Sequence, residues 1–393
     1  MDEEKPKEKG WTRRQVLIGA GVGTLATGAS IAGLGYMQDQ RIKQKKEEEP
    51  IDISKCKLTS DSGTFPYSFS PFEEYARIEE ETLNELKVSE KDIPRDYDRI
   101  IKIADDISDR VAIRILQSER KLSIDGVIDD FPKEEFMTML AEEMANTGLI
   151  TWPEQLLSRG FSTDPQVQEE GMSHLDCDLL AYLMMHAGRR MGVDMYAVPG
   201  PIHMYFMVRA KEREEDPNKA HSYFVMEPTK FRRVERKGGW VNRGVKGIEE
   251  GFFSTFEKQR RHGGISATKR LEEAAQFHKR ITDEERLRES MYANIIQGVW
   301  DEAERKDDYN LMTKTVNRMA TKVVAGTTSY LIANNLIVDS LKLADKTWNL
   351  GDRSGARTLL KNAIFTFKEY EPMVIQVGRI ERKIAELKSR MYR

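Results

Sequence analysis

The sequence predicts an α+β fold, and three observations predict it. Between Pro71 and about Arg159 apolar residues recur at helical spacing. Between Met195 and Thr229 the period changes to short Tyr-, Phe- and Val-rich segments bounded by turn residues, which read as strands. From about Ser266 to the end the pattern is helical again. Composition agrees with a helix-rich chain: 32% of its 393 residues are charged, and stretches rich in Glu, Lys, Leu, Ala and Met outnumber β-branched runs.

The first element is apolar and polar by turns. Gln15 to Gln38 contains no charge and follows Arg13-Arg14 in "TRRQVLI". About 20 apolar residues span hydrocarbon as a helix, so this segment is long enough. It is rich in Gly, Ala and Thr and resembles a twin-arginine export signal. No clean small-residue cleavage site ends it, so residues 1–37 are expected to form an uncleaved membrane anchor with the body outside the cytoplasm, in the cell envelope. Basic residues lie on both sides of the segment, so charge counting alone does not fix its orientation. Residues 38–65, with their charge blocks and their Pro, Ser and Gly, read as a polar linker.

A first helix starts at Ser70-Pro71, where Pro presets the first helical position and acids follow. "YDRIIKIADDISDRVAIRIL" and "KEEFMTMLAEEMANTGLI" are the next two, the second stopping at Asn146-Thr147-Gly148. Ser173 begins a further helix start, with Ser173 expected to cap the backbone N–H of Asp176. Leu175, Leu179, Leu183 and Met191 form its core stripe, widened by Leu180, Met184 and Ala187, and Gly192 supplies the left-handed stop. "MYAVPG", "IHMYFMVRA" and "HSYFVMEPT" are the strands. Residues 66–260 are thus one domain and residues 261–393 a helical region. In the latter, Trp348, Gly351, Ala356, Ala363 and Pro372 resemble the tetratricopeptide pattern, in which small residues let two antiparallel helices approach. A plain helical bundle accounts for the same residues.

The chemistry concentrates at Cys177, one of two cysteines. Two cysteines make no disulfide framework, although a single Cys56–Cys177 bridge stays open. Cys177 falls in the first turn of its helix, where unpaired N–H groups favour a thiolate. Asp176 and Asp178 oppose ionisation through their charge. A histidine is therefore needed, and His203 opens the second strand while Glu227 closes the third. A hairpin centred near residue 215 places His203 opposite Glu227. Nucleophile, base and orienting acid then form a complete acyl-transfer arrangement.

"CDLLAYLMMHAGRRMGVDMYAVPGPIHMYFMVR", followed by "YFVMEPT", resembles the core of the transglutaminase-like superfamily, microbial branch. The resemblance covers roughly residues 171–230 and implies a papain-like core, in which the Cys-bearing helix packs on a small antiparallel sheet. It implies Cys177 as nucleophile, His203 as general base and acid, and Glu227 as orienting carboxylate. The family's third member is usually Asp, so Glu227 is one methylene longer. No glycine precedes the cysteine, and Trp152, Gln166 and Gln168 are oxyanion-donor candidates by position alone.

Each residue also has a plain structural reading. A lone Cys in a helix is usually core packing, and His186 an ordinary surface or core histidine. His174 and Cys177 are three apart, but no further Cys completes a zinc site. Neither metal nor cofactor is expected. The formal net charge of −3 gives no mandate for nucleic acid, and the basic stretch Lys230–Lys246 reads as a solvated loop. The expected partners are a protein or peptide substrate, the membrane, and a protein on the C-terminal helices. The alternative to an enzyme is a catalytically inactive scaffold.

Overall fold

In the computed structural model the described residues are 67–118, 133–147, 149–151, 154–162, 173–193, 195–199, 204–209, 223–226, 283–325, 330–371, 374 and 377–392. The expected membrane segment, the linker, Cys56 and the basic stretch 230–246 lie outside them. Among the described residues no helix is long and apolar enough to cross a membrane.

Three helices come first: α1 (Pro71–Glu85), α2 (Tyr97–Gln117) and α3 (Lys133–Asn146). Ser70 is the N-cap of α1, and Pro71 occupies its first turn with Glu73 and Glu74. Strand β1 (Leu149–Thr151), the short helix α4 (Leu157–Gly160) and strand β2 (Ser173–Leu175) follow, then α5 (Cys177–Arg190). β1 and β2 pair in parallel, Ile150 facing His174. Strands β3 (Met195–Pro199), β4 (Met204–Arg209) and β5 (Tyr223–Met226) form an antiparallel ribbon in that order. The C-terminal helices are α6 (Glu284–Lys306), α7 (Tyr309–Val324), α8 (Tyr330–Asn349), α9 (Arg353–Tyr370) and α10 (Val377–Met391).

The expected α+β, papain-like class is overturned by this balance. Helix makes up the great majority of the described residues, and strands are confined to two small patches three to six residues long. The reason lies in α5. A helix laid on a sheet keeps a polar face, but Leu179 through Gly188 are buried without interruption. α5 is therefore a central helix, packed on α1 and α2 as well as against β3 and β4. α6 is similar, buried continuously from Ser290 to Trp300, and α1 packs against both.

One hydrophobic core joins side chains from Tyr67 to Leu343, including Phe72, Tyr75, Phe136, Tyr182 and Trp300, on both sides of residue 260. A second cluster is built by α8, α9 and α10 around Leu341, Leu360, Ala363 and Leu387. α8 serves both, with Leu336 and Leu343 in the first cluster and Ile337 and Leu341 in the second. The turn between α8 and α9 contains Gly351 at φ 91°, and Ala356 and Ala363 are fully buried where the two helices meet.

Candidate active site

Asp176, not Ser173, caps α5. Its extended backbone ends the strand-like approach, and its carboxylate accepts from the Leu179 N–H at 2.9 Å. Ser173 belongs to β2, where it faces Leu149 across the parallel pair. The Asp176 N–H donates to the Glu154 carbonyl at 3.1 Å, fastening the helix start to the turn that precedes α4.

Cys177 is the first residue of α5 and is half-buried. Its thiol donates to Asp178 Oδ1 at 3.2 Å, and Asp178 Oδ2 accepts from the Asn294 amide of α6. The carboxylate is therefore an acceptor for the thiol proton as well as a like charge against a thiolate. That agrees with the opposition expected of Asp178. Asn294 was not visible as a partner, since 116 residues separate it from Asp178 and it sits within the apolar face of α6.

The far end of α5 stops as expected. Gly192 takes φ 72°, Val193 N–H donates to the Gly188 carbonyl at 2.8 Å, and Arg189 and Arg190 occupy the last turn. A Cβ on Gly188 would stand 2.6 Å from Met195 Cε, so the end of α5 closely approaches the first residue of β3.

His203 and Glu227 lie outside the described residues, as do Trp152, Gln166 and Gln168. Their neighbours are placed: Met204 begins β4 and faces Pro199, and Met226 ends β5 and faces Phe206. A hairpin centred on residue 215 would have paired Phe206 with Phe224, so the observed register is offset by two residues. An offset of two leaves each residue's face of the ribbon unchanged.

Two further polar clusters were not legible in the sequence. Ser70 Oγ lies 2.7 Å from His186 Nδ1, and Asp105 Oδ1 lies 3.0 Å from His186 Nε2. Arg190 pairs with Asp105 and Asp109 beside it. His186 is thus a core histidine with both ring nitrogens engaged. The second cluster surrounds Glu79, which is fully buried yet accepts from Leu157 N–H at 2.6 Å, Ser158 N–H at 3.0 Å, the Ser158 hydroxyl and Tyr97 OH at 3.0 Å. Burial pushes its carboxyl up to about 7, and the four donors restrain that rise. Tyr75 and Tyr182, also buried, have phenols held well above their usual range, by burial first and then by nearby carboxylates.

Among the described residues no group of three or more His, Cys, Asp or Glu side chains is arranged to hold a metal ion. No family model, no curated protein and no solved structure matches the chain.

Proposed function

We propose that the protein performs cysteine-dependent acyl transfer or hydrolysis on protein or peptide amides, tethered to the membrane by its N-terminal segment. This is the chemistry that the resemblance to the transglutaminase-like superfamily implies. The observation that carries it is the placement of Cys177, a half-buried residue, as the first residue of a helix locked in the core. Support also comes from the ribbon's pairing. The ends of β4 and β5 adjoining His203 and Glu227 lie on one side of the ribbon, together with the end of β3.

In the reaction, His203 takes the thiol proton and the sulfur attacks the carbonyl carbon. The C–N bond breaks and the amine leaves with the proton from His203, while Glu227 orients the imidazole. The thioester then passes its acyl group to water or to a second amine. Asp178 competes with His203 for the proton in the resting state.

The test is iodoacetamide labelling of the full-length protein, with each cysteine read separately by peptide mass. Cys177 is expected to label faster than Cys56, and His203→Ala to slow that labelling about 10- to 100-fold. A Cys177 rate indifferent to His203→Ala overturns the assignment. A second reading, a non-catalytic docking scaffold, draws on Phe365 of α9 and Leu350 in the turn before it, which are 72% and 65% exposed. Partner capture that survives loss of both Cys177 and His203 favours it.

A further inference from the structure

Asn294 is 4% exposed and places a polar group within the buried run of α6. A buried amide is stable only where it is hydrogen-bonded, and an apolar residue would fill the same place without that demand. Its amide donates to Asp178 Oδ2, while Asp178 Oδ1 accepts from the Cys177 thiol at 3.2 Å. One carboxylate therefore links the middle of α6 to the sulfur at the start of α5. Asp176, two residues earlier, is occupied otherwise, since it caps the Leu179 N–H. Asp178 is half-buried, so without Asn294 its side chain would turn to water and away from the thiol. Asn294 itself is firmly held: α6 is buried from Ser290 to Trp300, and the Ala293 carbonyl accepts from Asn335 of α8 at 3.3 Å.

We infer that Asn294 is a positioning residue of the candidate site: it aims Asp178 at the Cys177 thiol, so that the proton stays on sulfur until a base removes it. The helical region after residue 260 then supplies part of the site instead of flanking it. What the thiol is for rests on the proposed function; the link between Asn294 and the thiol's ionisation does not.

Other titratable groups surround the start of α5. Tyr75 of α1 and Tyr182 of α5 both feel Asp176 and Asp178, and burial keeps both phenols neutral through the thiol's range. Glu79 of α1 acts on Tyr75 and titrates near 7. Glu154, whose carbonyl holds the Asp176 N–H, pairs with Arg159, which pairs in turn with Glu302 of α6. Of the strands packed on α5, β2 carries His174, β3 Tyr196, and β4 Tyr205 and Arg209. Asp105 and Asp109 of α2 meet His186 and Arg190 about two and a half turns or more along α5. All of these stay the same in the variants below, so differences between the proteins report Asp178 and Asn294.

The pH profile of Cys177 labelling by iodoacetamide, read by peptide mass in the full-length protein, tests the link. A like charge at hydrogen-bonding distance raises a thiol's titration by about one unit, so Asp178→Asn should lower the Cys177 midpoint by about that much. A less basic thiolate is also a weaker nucleophile, with about half the change in basicity carried into the rate. The variant should therefore label roughly threefold faster than wild type below both midpoints and roughly threefold slower above both. Asn294→Leu keeps the branched shape without the donor. It should lower the midpoint by about half a unit in wild type and leave it unmoved in the Asp178→Asn background. Asn294→Ser, too short to reach Asp178, carries the same expectation if the leucine variant does not fold. A midpoint that either single substitution fails to lower overturns the inference. So does an Asn294→Leu effect that is equal in both backgrounds, or labelling that is faster by one factor at every pH, which is what a merely loosened helix start would give. A Cys177 rate indifferent to His203→Ala overturns the proposed function and leaves these midpoints where they are.

Discussion

His186 shows what single residues contribute and what a sequence hides. Its ring is 2% exposed, and each nitrogen meets a group from a different helix: Ser70 at the start of α1 and Asp105 on α2. Ser70 sits at the N-cap of α1, yet its hydroxyl makes no capping bond and turns to the imidazole instead. Ser70→Ala therefore isolates the histidine contact from helix capping. It should cost about 1–3 kcal/mol, because a buried ring nitrogen loses its partner. The measurement is the urea midpoint at unchanged slope, and a loss below about 0.5 kcal/mol would show that the hydroxyl contributes little. At this scale the legible features were local ones. The position of Cys177 and the opposing role of Asp178 follow from adjacent letters. Ser70 and Asp105 stand 116 and 81 residues from His186, and no local pattern announces such a meeting.

Elements were legible where backbone chemistry punctuates them. Ser70-Pro71 opens α1, Asn146 closes α3 and Gly192 ends α5, and at Gly192 the left-handed φ of 72° suits glycine. The N-cap of α5 was misplaced, because Ser173 and Asp176 are both good caps and only the pairing of β2 decides between them. The apolar stripe of α5 was visible, but its burial on every side depends on α1, α2 and the strands β3 and β4 closing over it together. The three strands after α5 were found, β1 and β2 were not, and the weight of strand in the fold was overestimated. Gly351 offers a clean test of punctuation. At φ 91° it has no atom within 4 Å of where a Cβ would stand, so substitution adds strain without a clash. Gly351→Ala should destabilise by about 1–2 kcal/mol, and Gly351→Asn should recover part of that, since Asn tolerates the left-handed region. Thermal melts of the three proteins decide it. An alanine variant as stable as wild type would mean that the turn can readjust its backbone freely.

At the scale of the molecule, the question is whether two apolar clusters mean two folding units. Trp300 is fully buried in the first, whereas Trp348 packs against the second at the end of α8. α8 has a face in each, with Leu336 and Leu343 alternating along the helix with Ile337 and Leu341. A helix that melts from one cluster cannot keep its register in the other. Polar ties cross the same helix: Lys342 pairs with Glu304 of α6, while Asp345 pairs with Lys383 and Arg390 of α10. Leu360→Ala, in the second cluster alone, should therefore cost about 2–5 kcal/mol through its cavity and should lower the stability of both clusters together. Variants retaining only Trp300 or only Trp348 report the two regions separately in denaturant. Coincident transitions, both shifted by Leu360→Ala, are expected of one cooperative body. A shift confined to the Trp348 signal would make α8–α10 an independent unit docked on the rest, and α8 a connector rather than a shared wall.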